Sequence, residues 1–454
     1  MKKVFLLLVS SAIPCVSQES SAQVPMSLKD AVRLALNDNK SIEAATSGQK
    51  AADSRIAEAR GGYLPKINYS ESWTRSDNPV FVFSSLLVQH QFEQQNFQLG
   101  PLNRPDFLNN FQSQLSLDQT LFDAGQTKHA VRAAGLSANI AKEEGRRTEM
   151  DVIAGVVRAY YGALLSAEQL KVANQAMRSA EADLDRAEAV LSAGMSTDSD
   201  VLSIRVHLAS VREQQIRREA DLDVARATFN DALGIPLDTA HTLRATLTPL
   251  KLPPPALADY EKDALNQRPE ARQTKLATNL AENQSAATRT SLLPQISLHA
   301  AFEADRQGFY DKSGANSLVS IGLRWNLFNG FSDKARIEEN KFALNRAQAE
   351  QERAGSAIRL QVRRAYADLR AAGQRIEVAE ASIAEAEESL RITQNRYSAG
   401  LGNVTELLRT ETAVLEARTR RLSAIYDQRI SAATLELAAG TLTADSALLN
   451  EGAQ

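Results

Sequence analysis

The segment from Leu121 to Gly234 occurs twice: moved 206 positions along the chain, it falls on Leu327 to Gly440 without a gap. Leu121-Phe122 lands on Leu327-Phe328, Ala159-Tyr160 on Ala365-Tyr366, and Ser192-Ala193-Gly194 on Ser398-Ala399-Gly400. Leu202 and Gly234 land on Leu408 and Gly440. The apolar rhythm repeats too. Val156, Ala163, Leu170, Met177, Leu184 and Leu191 follow at intervals of seven, and their images are Val362, Leu369, Ile376, Ile383, Leu390 and Tyr397. A heptad sustained this long requires helices that supercoil left-handedly against partners. Each copy is broken once, at the Ser-Ala-Gly, and then resumes. Each copy is therefore a long helix, a tight turn and a second helix returning antiparallel, and such a repeat governs how local motifs are read.

Of the 454 residues, 24% are charged and only 6% aromatic, which suits extended helices better than a thick core. The net charge of −3 argues against nucleic acid as a partner. Residues 1–22 read as a secretory signal peptide: Lys2-Lys3, an apolar run from Val4 to Val9, and small Ser20-Ser21-Ala22 before a cut at Gln23. That run is too short to span a bilayer. The only cysteine, Cys15, lies inside this leader, so the mature chain has no disulfide, thiol nucleophile or thiolate metal site. No later stretch is apolar over the ~18 residues a membrane helix needs. An exported chain of this kind meets a membrane, if at all, through strands.

After the leader, the chain takes one order of elements twice. The first repeat covers 23–235. A helix opens at Ser27 and runs, weakened near Asn37 to Asn39, to about Arg60, where Gly61-Gly62 and Pro65 stop it. The period then changes to two: Ile67, Tyr69 and Trp73 alternate with polar residues, as do Phe111, Leu115, Leu117 and Leu121. Between these strands, roughly 77–110, lies a long loop rich in Gln, Asn, Phe and Pro, of a kind that is functional or mobile. A helix of about 95 Å follows from Thr127 to Leu191, then a returning helix from Asp200 to Leu233. Residues 236–256, with Pro249 and Pro253-Pro254-Pro255, read as a linker.

The second repeat, 257–442, has a helix to Thr290 interrupted at Pro269 and strands around Ile296 to Phe302 and Val319 to Leu327. Its long helix runs from Asp333 to Arg396 and its returning helix from Val404 to Ala439. Residues 443–454 read as a disordered tail.

Two short helices placed end to end match one long helix, so each half supplies two full-length staves and a strand pair at one end. Staves with so few bulky residues line a hollow cylinder more readily than they fill a domain. Strands of ~9–11 residues, apolar outward and polar inward, suit a membrane barrel with a wet lumen. In the last strand, Leu323 and Trp325 would face lipid and Arg324 the lumen. Four strands cannot close, since about eight already make a small barrel. Three chains would give twelve strands and twelve staves. A small soluble sheet with helical arms is the competing arrangement, and it leaves the export signal and helix lengths without a purpose.

The sequence resembles the TolC family of outer-membrane efflux proteins over nearly all of its mature length. The resemblance is carried by Ser27-Leu28-Lys29-Asp30-Ala31-Val32, by Gly62-Tyr63-Leu64-Pro65 and Leu292-Leu293-Pro294, and by Leu121-Phe122-Asp123 and Leu327-Phe328-Asn329. Asn266-Gln267-Arg268-Pro269-Glu270 and Arg396-Tyr397-Ser398-Ala399-Gly400 add to it, and their doubled order is more specific than any one of them. The resemblance implies a mainly α fold with transmembrane β: a homotrimeric channel-tunnel, a twelve-stranded β-barrel in outer-membrane lipid and an α-barrel in the periplasm. It also implies docking to a periplasmic adaptor coupled to an inner-membrane transporter.

No catalytic constellation is legible, and neither cofactor nor metal is expected. The five histidines are scattered, and Gly400-Leu401-Gly402 follows a helix instead of a strand, unlike a phosphate loop. The informative sites are the two turns. Gly194 and Gly400 suit the left-handed position at a helix end. Asp200 and Glu406 suit first-turn caps of the next helices. The resemblance implies more: Asp200 and Tyr397 in a closing network, and Glu406 lining the periplasmic constriction. Ala193, Gly194 and Met195, with Ala399, Gly400, Leu401 and Gly402, would then be the adaptor-docking tips. Two departures bear on this: Gly402 stands where some members carry a closing arginine, and Arg409 where a second acidic residue can occur. The resulting expectation is a passive export duct of a tripartite efflux or type I secretion system. A periplasmic coiled-coil scaffold or adaptor without a pore is the alternative, separated from the duct by whether extraction requires detergent.

Overall fold

The computed structural model describes residues 25–194, 196–250, 256–312 and 314–450. The expected signal peptide, Met195 and the Pro253-Pro254-Pro255 run of the linker lie outside the described residues. Ser27 caps the first helix by accepting the Asp30 amide, and α1 (Leu28–Asp38) follows. Asn39 takes an extended conformation and its side chain accepts the Ser41 amide, so the same residue ends α1 and starts α2 (Lys40–Arg60). Strand β1 (Lys66–Ser76) pairs with β2 (Leu108–Phe122). The connection between them is not the irregular loop expected. It contains α3 (Pro79–Val88) and α4 (Leu99–Asn103), the first opened by the Asn78 side chain and Pro79. Proline is preorganised for that first helical position, and the Phe residues read as loop pack edge-to-face: Phe83 on Phe92, and Phe92 on Phe97.

Then come α5 (Gln126–Ser192) and α6 (Asp198–Leu233). In the second half α7 (Leu257–Gln267) and α8 (Pro269–Thr290) meet at Arg268. Strands β3 (Gln295–Arg306) and β4 (Gly314–Arg324) precede α9 (Ser332–Ser398) and α10 (Val404–Ala439). The two long helices are 67 residues each and the two returning helices 36 each. The boundaries of these four helices repeat at the sequence offset of 206. Strand β4 stops at Arg324, short of the Leu327 expected, and Trp325 beyond it donates its ring N–H to the Leu292 carbonyl at 3.0 Å.

Side-by-side packing runs from α2 and α6 through α5 to α8 and α10, and then to α9. The main core lies where α1 meets α5, α6 and α10: Val156, Val157, Tyr160, Tyr161, Phe229, Leu233 and Ile425 are buried together. Helix α5 does carry a stretch apolar enough by length and composition to cross a membrane, contrary to expectation, and 56% of that stretch is buried. Its apolar residues cover this core on several sides. The expectation of a disordered tail is also corrected here. The described part of the linker is packed: Arg429 donates to the Thr248 carbonyl at 2.8 and 2.9 Å, and Tyr160 binds both the Met26 carbonyl and the Ala245 amide. The tail is packed through residue 450, with Leu448 and Leu449 buried in the same core. Thin staves leave apolar flanks, and burying two leucines against them is worth roughly 3–6 kcal/mol, enough to order a short segment.

Candidate functional site

Antiparallel pairing in the order β1-β2-β3-β4 gives one continuous sheet with two faces. Register places Ile67 opposite Leu117, Tyr69 opposite Leu115, Ala300 opposite Val319, Leu298 opposite Ile321 and Ile296 opposite Leu323. These residues share a face, and Ile67, Tyr69, Val319, Ile321 and Leu323 on it are exposed. At the end nearest the long helices the exposed Tyr63, Phe122, Trp325, Phe328 and Phe331 gather. At the other end are Trp73, Phe107, Phe309 and Tyr310, also exposed. An apolar band between two aromatic girdles is the surface a bilayer demands of a spanning sheet. The opposite face is polar: His299 lies 2.7 Å from Asp118, and Gln114 donates to Glu303 at 2.8 Å. The β1–β2 connection folds over this polar face at the end far from the long helices. There Gln89 donates to Asn110, Asn110 to Asp305, and Asn316 to the Val88 carbonyl.

At the opposite end of the molecule the two helix turns lie together. Gly194 and Gly400 adopt φ of 72° and 73°, and the amides of Gly400 and Leu401 close onto the Tyr397 and Arg396 carbonyls. This is the left-handed helix stop that the glycines suggested. Ala187, Val201, Ile204 and Val404 form a small buried cluster against which Leu184, Leu191, Tyr397 and Leu408 pack, so the two hairpins are joined at their tips. Ala193, Gly194, Ala399, Gly400 and Leu401 are exposed there and Gly402 is half-buried.

Each of the expected gate residues has a local role within one chain. Asp200 completes a capping box: its carboxylate accepts the Thr197 hydroxyl at 2.9 Å, and its amide donates to that hydroxyl oxygen at 3.2 Å. Tyr397 is half-buried; burial, and then the charge of Asp200, push its hydroxyl above the ordinary tyrosine value. Among the described residues no hydrogen bond joins the two. The Glu406 amide donates to the Asn403 side chain, and its carboxylate lies 3.4 Å from Arg396. Arg396 was read in the sequence only as part of the turn motif; it is the cation that ties the end of α9 to the start of α10.

A second group escaped the sequence reading entirely. Asp183 on α5, Glu411 on α10 and His207 on α6 converge below the tips. The Asp183 carboxylate takes the Arg186 guanidinium at 2.8 Å, and His207 lies 3.4 Å from Glu411. A signal was present. Ala180, Asp183 and Ala187 are spaced as seam positions, as are Val404, Leu407, Glu411 and Val414, and a carboxylate at a seam position is out of place in an apolar heptad.

The sequence and the architecture each find relatives among outer-membrane secretion and efflux proteins. The sequence profile described as outer membrane efflux protein matches residues 31–235 and 261–441. Protein CyaE of Bordetella pertussis is 27% identical over 92% of this chain and 84% of its own length. The alkaline protease secretion protein AprF of Pseudomonas aeruginosa is 24% identical over 92% of this chain and 85% of its own. The Campylobacter jejuni CmeC outer membrane channel superposes with a TM-score of 0.75 at 14% identity, covering 99% of this chain and 96% of that one. A repeated hairpin of long staves, a four-stranded sheet with a lipid-type face, and a match over both repeats therefore agree that this chain belongs to the outer membrane efflux protein family, an outer-membrane protein with the TolC-like channel fold.

Proposed function

We propose that the chain works as a passive homotrimeric duct, receiving its cargo from an inner-membrane transporter through a periplasmic adaptor. The observation that carries this reading is a pair of open edges. The sheet ends in β1 on one side and β4 on the other. The row of staves ends in α2 and α6 on one side and α9 on the other. Both edge staves expose apolar side chains: Leu202, Val206, Ile216 and Val224 on α6, and Phe342, Leu360, Val378 and Ile392 on α9. A head-to-tail contact between unlike edges closes into a ring if its rotation permits, and one ring operation pairs β4 with the next β1 while it packs α9 on the next α6. Three chains of four strands make a twelve-stranded barrel. Such a duct needs no enzyme chemistry, since a partner supplies the energy. The relative AprF is named for protease secretion, which favours neither secretion nor efflux for this chain until its cargo is identified. The detergent-solubilised protein should have the mass of three chains and conduct in planar bilayers; a monomeric mass, or solubility without detergent, would overturn the reading.

The two exposed turns are then the periplasmic mouth and the docking surface, where small residues allow six helix tips to crowd and a partner's helical hairpins to lie between them. Asp200 and Tyr397 are proposed to restrain the mouth across neighbouring hairpins. Asp200→Ala with Tyr397→Phe should raise single-channel conductance and admit large antibiotics. Loss of the Asp200 half of the capping box alone costs at most about 1 kcal/mol, since the Thr197 cap remains. If the double variant loses only thermal stability while conductance stays unchanged, the residues cap and pack without gating.

A further inference from the structure

The strongest feature outside the proposed gate is the carboxyl pair below it. Asp183 lies nine residues before the end of α5, and Glu411 seven residues into α10, so the pair sits roughly 10–14 Å from the tips. The side chains of Asp183 and Glu411 are 5% and 10% exposed. One oxygen of each, Asp183 Oδ2 and Glu411 Oε1, is buried without a hydrogen-bond donor. Two orphaned acceptors in a helix seam are costly, about 1–3 kcal/mol each, and two facing carboxylates add repulsion. A single proton between them removes both penalties.

Charged and titratable groups reach the pair from all four helices. On α5 Arg186 binds Asp183, on α6 His207 faces Glu411, and on α9 Tyr397 feels the Asp183 charge. On α10 Arg418 is held by Glu387 of α9. A cavity of about 130 Å³ lined by Gln175, His207, Val211, Glu411 and Arg418 adjoins the pair and gives protons a polar route to it.

We propose that Asp183 and Glu411 join the two hairpins of each chain through a shared proton, making the periplasmic end of the duct a seam that tightens in acid and loosens as the pH rises. This rests on the duct reading for its consequence, but not for its chemistry. Burial, then the hydrogen bond with Glu411 and its charge, push Asp183 up from 3.8 to about 7. Burial works to raise Glu411 as well, but hydrogen bonds from His207 and Asp183 outweigh it and hold Glu411 below the ordinary carboxylate value. A raised carboxyl contributes stability that is complete below its unfolded value and is lost as the pH climbs through its folded one. The window therefore lies between about pH 4 and pH 7. The Glu411 contribution runs the other way and falls below that window.

The test is amide hydrogen exchange in α5 and α10 around these residues, corrected for intrinsic rates, on the full-length protein in detergent with a chelator present. Opening should become more favourable by up to about tenfold per pH unit toward pH 7 and then level off. Asp183→Asn keeps the shape and a hydrogen bond but cannot ionise; it should flatten the profile, and Glu411→Gln should do the same by a different route. An unchanged pH slope in both variants would overturn the shared proton. Conductance measured over the same range should rise with pH in the native protein and not in Asp183→Asn. If no variant conducts at any pH while the exchange profiles behave as stated, the duct reading fails and the seam stands.

Discussion

Arginine in place of Val319 should abolish the membrane-inserted assembly. Val319 is at the centre of β4, opposite Ala300, on the apolar face, and 72% exposed in the single chain. A cation on the lipid face at the bilayer midplane costs about 2–4 kcal/mol, and near an interface only about 0–1. Three copies would bring this to roughly 6–12 kcal/mol for one barrel. Such a penalty is comparable with the whole stability of a typical domain, about 5–15 kcal/mol. Leu323, one residue from the end of β4, is nearer the interface and should be far more tolerant. Ser320, adjacent to Val319 but opposite His299 on the polar face, is the control. Ser320→Arg should keep the trimer and change only conductance and ion preference. Semi-native gels of outer-membrane fractions distinguish the outcomes. If Val319→Arg assembles as well as Ser320→Arg, the assigned faces are reversed.

The repeat and its period made most of the architecture legible. Heptad seams locate the staves because a helix in a cylinder buries only a stripe, and that stripe is periodic. Alternation located the strands for the same reason, since one face was apolar except toward its far end, where Glu71, Ser113 and Arg306 pair with one another. Glycine and proline marked the turns at Gly194, Gly400 and Pro269 because their backbone preferences are local. What stayed hidden depended on contacts distant in sequence. The 77–110 connection looked irregular because its helices are short and its aromatic residues pack on one another and on the sheet. Leu448 and Leu449 looked like tail because nothing nearby in sequence reveals the core that receives them. The linker was read from its prolines, while its anchoring depends on Arg429 and Tyr160, both more than eighty residues away in the chain.

The gate shows the same limit more sharply. Asp200 and Glu406 were visible as first-turn acids, and one chain gives each a local partner: Asp200 in a capping box with Thr197, Glu406 beside Arg396. Whether they also restrain a mouth depends on neighbouring copies. Asp183 and Glu411 invert the situation. They lie away from the turns, at seam positions, and one carboxylate oxygen of each is left without a partner. Charge at a seam position is the signal in the sequence that marks them.

A large effect on the helical staves should come from Gly440→Ala. The returning helix α10 ends at Gly440, whose φ is 77°, and its Cα faces the break between α7 and α8. A Cβ built there would lie 2.6 Å from both the amide nitrogen and the Cα of Arg268. Those are backbone atoms and cannot rotate aside. Gly234 repeats the arrangement at the end of α6, with φ of 78° and a Cβ 2.9 Å from the Asn39 Cα, at the break between α1 and α2. These are the two places where short helices stack end to end to equal one long stave, and each junction closes only because the last residue has no side chain. The left-handed conformation alone costs an alanine roughly 1–2 kcal/mol, and overpacking adds about 1–3 kcal/mol more. Gly194→Ala separates the two terms. Its φ of 72° is equivalent, but a Cβ there meets nothing within 4 Å, so only the conformational cost applies. Thermal midpoints of the purified protein should fall most for Gly440→Ala, somewhat less for Gly234→Ala, and least for Gly194→Ala. Equal losses at all three glycines would mean that the end-to-end junctions yield, and that close backbone contact is not what sets the length of the composite staves.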